Sequence, residues 1–238
     1  RLVCLVRKIQ AQKSQPTQSR PRNDRQKAPR QPDYSQNKSG NCSKIHNNSK
    51  FVRAKVAIFA LLSDFPFTEI FAKKYAELEK QGMQALVLDL RGNPGGVFDA
   101  GVAVAGMLVP KGPIVSVVDK NGNKYEETSS LEKVKYPLAV LVDHGSASAA
   151  EIVAGAIKDT KSGKLFGTKT FGKGSVQSVY RLDSNTAVKI TVAKYYTPSG
   201  VSIHNVGIEP DVKVELPEDA TVDVQLKAAE DYLLQQLQ

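Results

Sequence analysis

The chain has 238 residues, 41% of them hydrophobic, enough for one sizeable core or one domain plus a tail. No apolar run approaches the roughly 18 to 20 residues a helix needs to cross a bilayer, so a soluble protein is expected. The net charge of +9 is uneven: residues 1–50 hold 12 Lys or Arg against Asp24 and Asp33, and residues 51–238 hold 21 against 22, so the charge does not mark the body as a nucleic-acid binder.

From Gln10 to Lys50 the chain is Gln, Asn, Ser, Pro, Lys and Arg without apolar periodicity, as in QPTQSRPRNDRQKAPRQPDYSQNKSGN. Such a segment buries too little surface to offset chain entropy, and residues 1–50 read as a disordered, solvated basic tail. The body starts near Phe51. KVAIFALLS reads as a strand, and EIFAKKYAELEKQG as an amphipathic helix with Ile70, Phe71, Tyr75 and Leu78 at helical spacing. ALVLDL is a short buried strand, followed by the turn RGNPGG and the helix DAGVAVAGMLV. PIVSVV is a strand that leads to a hairpin at Asn121-Gly122. PLAVLVD is a second buried strand, and HGSASAAEIVAGAIKD turns at once into a helix opened by the capping-box pattern Ser148-Ala-Ala-Glu151. LFG, the turn TFGKGSVQ and two alternating strands, VQSVYRL and AVKITVAKYY, complete a mixed α/β fold of a sheet with covering helices. VDVQLKAAEDYLLQQL closes the chain as a helix, so the organisation reads as tail 1–50, core 51–216 and helical end 217–238.

The body has no cysteine, since Cys4 and Cys42 both lie in the tail, and its histidines His144 and His204 stand far apart, so neither a thiol nucleophile nor a metal centre is expected. The chemistry concentrates at two strand ends. ALVLDL and PLAVLVD each run into a small-residue turn and then a helix, the place where ligands meet backbone N–H groups in an open α/β sheet. A serine there has an exposed hydroxyl, with the next N–H aimed to hold an oxyanion. Read alone, the HGSAS turn is more simply a turn and a helix cap. His144 is too close in sequence to swing onto Ser148, and a lysine can replace a histidine base where burial lowers its pKa from about 10.4 toward about 7 to 8. Lys173, between Gly172 and Gly174, has neither bulk nor a carboxylate beside it in sequence, and Gln177 stands on the same side of an extended strand, offering a neutral partner to the amine.

LDLRGNPGG (88–96), LVDHGSASAAEIVAGAIKD (141–159), FGTKTFGKGSVQ (166–177) and YYTPSGVSIHNVGIEPDV (195–212) together resemble the protease core of the C-terminal processing peptidases, also called tail-specific proteases. The likeness runs from about Tyr75 to Val212. It implies a crotonase-like core and a serine-lysine endopeptidase acting on protein or peptide substrates, with a preference for C-terminal tails. The family's SASASE motif places its nucleophile at Ser148, with Ala150 here replacing a serine, and its FGKGxVQ motif places lysine and glutamine at Lys173 and Gln177. The N–H of Ala149 and that of Gly95 or Gly96 correspond to the oxyanion hole, and Asp159 to a supporting position. No cofactor is implied. The resemblance also implies work outside the cytoplasm, in a periplasm, cell envelope or organelle lumen, and proximity to a membrane.

Two departures stand beside it. Residues 1–50 show neither the alternating strands nor the glycine-rich carboxylate loop of the PDZ module that such cores follow. Residues 51–70 fit the family's first core strand poorly, and the abrupt change near residue 70 suggests a disrupted reading of the upstream gene segment. A catalytically impaired fragment or a non-catalytic binding relative therefore stands as the alternative. A phosphate-binding loop does not: Gly167 to Lys173 fits G-x-x-x-x-G-K, but Gly174 replaces the required Ser or Thr and a strand follows in place of a helix.

Overall fold

A computed structural model describes residues 56–60, 67–183 and 185–238; the basic tail expected over residues 1–50 lies outside them. The elements in chain order are β1 (Val56–Ala60), α1 (Phe67–Lys80), β2 (Ala85–Asp89), α2 (Phe98–Gly106), β3 (Gly112–Asp119), β4 (Lys124–Ser129), β5 (Leu138–Val142), α3 (Ala149–Asp159), β6 (Lys164–Gly167), β7 (Ser175–Arg181), β8 (Ala187–Tyr196), β9 (Val212–Lys213) and α4 (Val224–Gln236). The expected mixed α/β fold is present, with the strands segregated by direction into two sheets. One is parallel, in the order β1-β2-β5-β6-β9; the other is antiparallel, in the order β4-β3-β8-β7.

The parallel sheet follows from its sequences. LAVLV is apolar at every position, and ALVLD at every position before its last residue, Asp89, because both faces are covered. Leu86, Leu88, Val140 and Val142 belong to the same core as Val104, Ala105, Ile152, Val153 and Ile157 of α2 and α3. Ala85, Val87, Ala139 and Leu141 pack with Ala229 and Leu233 of α4 on the opposite face. In α1, Phe71 and Tyr75 are buried, but Ile70 is 47% exposed, since the helix turns that position outward. No helix among the described residues is long and apolar enough to cross a membrane. Leu88→Ala leaves a cavity in this double-sided core and is expected to lower the unfolding free energy by about 3 kcal/mol in urea titrations. A loss below about 1 kcal/mol would mean that β2 is not clamped from both sides.

In the antiparallel sheet, Asp119 stabilises the Asn121-Gly122 hairpin by accepting from the N–H groups of Asn121 (2.8 Å) and Asn123 (2.9 Å). Tyr195 of β8 stacks on Phe98 of α2 with ring centres 5.5 Å apart, which joins this sheet to the helices.

The last helix is tied to the end of β2 by a guanidinium. Arg91 Nε donates to Asp89 Oδ1 (2.9 Å), Nη2 to Asp89 Oδ2 (2.7 Å) and Asp223 Oδ2 (2.8 Å), and Nη1 to Asp223 Oδ1 (3.0 Å) and Gln225 Oε1 (2.9 Å). Burial works against the Arg91 charge, but the two carboxylates hold its pKa above the ordinary value. Burial likewise pushes the Asp223 carboxyl upward, yet Arg91 and the N–H groups opening α4 hold it below the usual range. A depressed carboxyl pKa stabilises the fold above the unfolded value, about 3.9, and that contribution is lost as pH falls through the folded value. Thermal melts should therefore show a loss of stability below about pH 4 that is smaller in Asp223→Asn. Equal acid sensitivity in the two proteins would assign the effect to other groups.

Candidate active site

β2 and β5 are neighbours in parallel register, Leu86 to Asp89 beside Leu138 to Leu141, so their following turns meet at one end of the sheet. Hydrogen bonds stitch the turns together. Asp143 Oδ1 accepts from the N–H of Gly92 (2.8 Å) and of Gly145 (2.8 Å), Ser146 Oγ donates to the Leu90 carbonyl (2.8 Å), and Ala147 N–H donates to the Asn93 carbonyl (2.9 Å). Ser148 follows at φ 56° and ψ −118°, a conformation that a non-glycine residue keeps only when its surroundings impose it, and α3 begins at the next residue. This is the geometry of a nucleophile elbow.

Gly95 lies against that elbow at φ 90°; a Cβ there would stand 2.8 Å from the Ser148 Cβ and 2.8 Å from the Ala149 nitrogen, so only glycine fits. Its own N–H donates to Asn93 Oδ1 (2.8 Å). Among the described residues the N–H groups of Gly96 and Ala149 donate to no protein acceptor.

The lysine turn is brought to the elbow by a residue the sequence reading took only for a helix cap. Glu151 is 0% exposed, and both its oxygens are used twice. Oε2 accepts from Ser148 N–H (2.9 Å) and Lys173 N–H (2.8 Å); Oε1 accepts from Gly172 N–H (2.7 Å) and Thr170 Oγ1 (2.6 Å). Because one oxygen joins the Ser148 and Lys173 amides through hydrogen bonds of ordinary length, those nitrogens lie within about 6 Å of each other. Phe171 N–H adds a bond to the Ser146 carbonyl (3.0 Å), and the His144 and Phe171 rings sit 5.3 Å apart across the two turns. From the far side the Asn205 N–H donates to the Gly172 carbonyl (2.8 Å), and a Cβ on Gly174 would stand 2.3 Å from the His204 nitrogen. The glycines flanking Lys173 are there because the turn is threaded between Glu151 and the His204 loop. One expectation needs correcting: a carboxylate does stand beside Lys173, but it holds the backbone amide and makes no ion pair with the amine.

Lys173 and Gln177 are both exposed, and among the described residues neither side chain makes a hydrogen bond or ion pair. Lys173 thus lies at the surface, where burial was expected. Nor is the expected amine-amide contact made. Asp159 lies at the other end of α3, about 16 Å along the helix from Ser148, where Oδ2 accepts from the N–H (2.9 Å) and Oγ (2.6 Å) of Ser199. It fixes the turn that leads to the His204 loop and touches neither Ser148 nor Lys173.

The model of peptidase family S41 matches residues 56–214. A chloroplastic C-terminal processing peptidase from Tetradesmus obliquus is 46% identical over 153 residues, 63% of this chain and 33% of that one. Carboxy-terminal processing protease CtpA of Bacillus subtilis is 44% identical over 160 residues, 65% of this chain and 34% of its own length. The chain thus matches about a third of the length of these relatives. The solved photosystem II D1 C-terminal processing protease superposes with a TM-score of 0.63 at 40% identity, covering 75% of this chain and 46% of that one. The family match begins at Val56, and β1 pairs in register with β2, so this part of the stretch that seemed foreign to the core belongs to it. With residues 56–214 matched, more than half of its length, the chain belongs to peptidase family S41.

Proposed function

We propose that this chain carries the catalytic centre of a serine endopeptidase acting on protein or peptide substrates, with Ser148 as nucleophile and Lys173 as general base. The observation that carries the reading is the single Glu151 oxygen that binds the amides of both residues. Neutral Lys173 Nζ takes the proton from Ser148 Oγ, and the alkoxide attacks the carbonyl carbon of the scissile peptide. The negative charge that develops on the carbonyl oxygen is met by the N–H of Ala149 and that of Gly96 or Gly95, donors fixed in advance by the two turns. Collapse breaks the C–N bond, the Lys173 ammonium gives its proton to the leaving amine, and water activated by the same lysine releases the acyl group from Ser148.

A lysine base works near neutral pH only when its ammonium form is disfavoured. With no anion paired to Nζ, a substrate strand laid over the exposed turn supplies the desolvation, and the exposed Gln177 amide then orients the amine without adding charge. The names of the relatives, which speak of C-terminal processing and in one case of a chloroplast, support a preference for C-terminal tails; the same reading takes the site of action to lie outside the cytoplasm or in an organelle lumen. The exposure of Lys173 is also what a non-catalytic relative would show, and one assay separates the two. The chain and its Ser148→Ala variant are incubated with an unstructured protein ending in a small apolar tail, from about pH 6 to about pH 10, and products are read by mass spectrometry. Cleavage by the parent alone supports the enzyme; no cleavage by the folded parent supports the non-catalytic reading.

A further inference from the structure

We infer that α4 is a latch for the oxyanion turn, with Asp223 and Gln225 as positioning residues that act through Arg91; this rests on the proposed role of the Gly95-Gly96 turn. Arg91 is the first residue of that turn, its side chain is 15% exposed, and all five of its N–H donors are used. Three of the five bonds go to residues more than 130 positions away, at the start of α4. Those partners are fixed in turn. Asp223 caps α4 by accepting from Leu226 N–H (2.9 Å), and Gln225, 3% exposed, donates from Nε2 to the Val214 carbonyl (2.7 Å) just past β9.

From Arg91 the constraint passes along a short route. Asp89 holds the Arg91 N–H (3.0 Å), Asp143 holds the Gly92 N–H, Asn93 bonds the Leu90 carbonyl and the Gly95 N–H, and Gly95 touches Ser148. Arg91, Gly92, Asn93 and Gly95 are each held by a hydrogen bond, so a shift at Arg91 has a bonded path toward the oxyanion donors. Docking of α4 alone does not call for such a network. Ala229 and Leu233 are fully buried and Tyr232 packs on Phe166 with ring centres 5.5 Å apart, which seats the helix by apolar contact. A buried ionic cluster is on average no more stabilising than an apolar replacement; what it adds is a directional fix.

The test compares the parent with Asp223→Asn, which removes the charge and keeps the shape, by amide hydrogen exchange and steady-state kinetics. Exchange in the peptide covering 91–96 is expected to quicken about tenfold while amides in the middle of α4 stay protected. In the same variant kcat falls about tenfold and KM moves less than about twofold, because the donors serve the transition state. Faster exchange confined to α4 with the turn unchanged, or an unchanged kcat, overturns the latch. Gln225→Met, which leaves both carboxylates in place, repeats the comparison should Asp223→Asn not fold. A parent that cleaves nothing contradicts the enzyme reading, and the exchange comparison then decides the latch on its own.

Discussion

Lys173→Met is expected to reduce kcat/KM for peptide cleavage by on the order of 10³ to 10⁴, the loss typical of removing a member of a catalytic pair. The same change should leave stability within about 0.5 kcal/mol, since the lysine side chain is exposed and bonds to no described residue. Methionine keeps an unbranched apolar stem and lacks the basic nitrogen, so the two readouts separate chemistry from folding. Activity within about tenfold of the parent, at an unchanged melting temperature, would assign the base to another residue.

The second large effect lies at Glu151. In Glu151→Gln one of the two oxygens becomes an NH₂ group facing donors, so at least one buried N–H among those of Ser148, Gly172 and Lys173 loses its acceptor. The cost is about 3 kcal/mol in chemical denaturation, and kcat/KM falls by about 10² or more because the elbow and the lysine turn are no longer held to one atom. A loss of stability below about 1 kcal/mol would show that the turns hold their positions through the Phe171 and Asn205 backbone bonds alone.

What the sequence revealed and what it hid divide by range. The unbroken apolar runs ALVL and PLAVLV announce a sheet covered on both faces, because only burial tolerates so many consecutive apolar residues. The small residues after them mark the meeting of two turns, so Ser148 and its neighbours were legible. Period-two alternation identifies β7 and β8 as strands but does not say which sheet they join, and the segregation into two sheets was not foreseen. Glu151 was hidden by its own local explanation. A glutamate three residues after a serine reads as a capping box, and the contact with Ser148 is present, but its other partners lie 19 to 22 residues on. The signal available was the pair Gly172 and Lys173, whose amides at the edge of a tight turn required an acceptor. Arg91 offered less: its partners Asp223 and Gln225 are set by the path of the chain after β9, which no spacing encodes.

The central claim is that Ser148 forms a covalent bond to the acyl half of its substrate. Parent protein mixed with an activated peptide ester, quenched in acid within the first turnover and digested for peptide mapping, tests it directly. An acyl adduct is expected on the peptide containing Ser148, absent from Ser148→Ala. Release of product without an adduct, or an adduct on any other side chain, would contradict it.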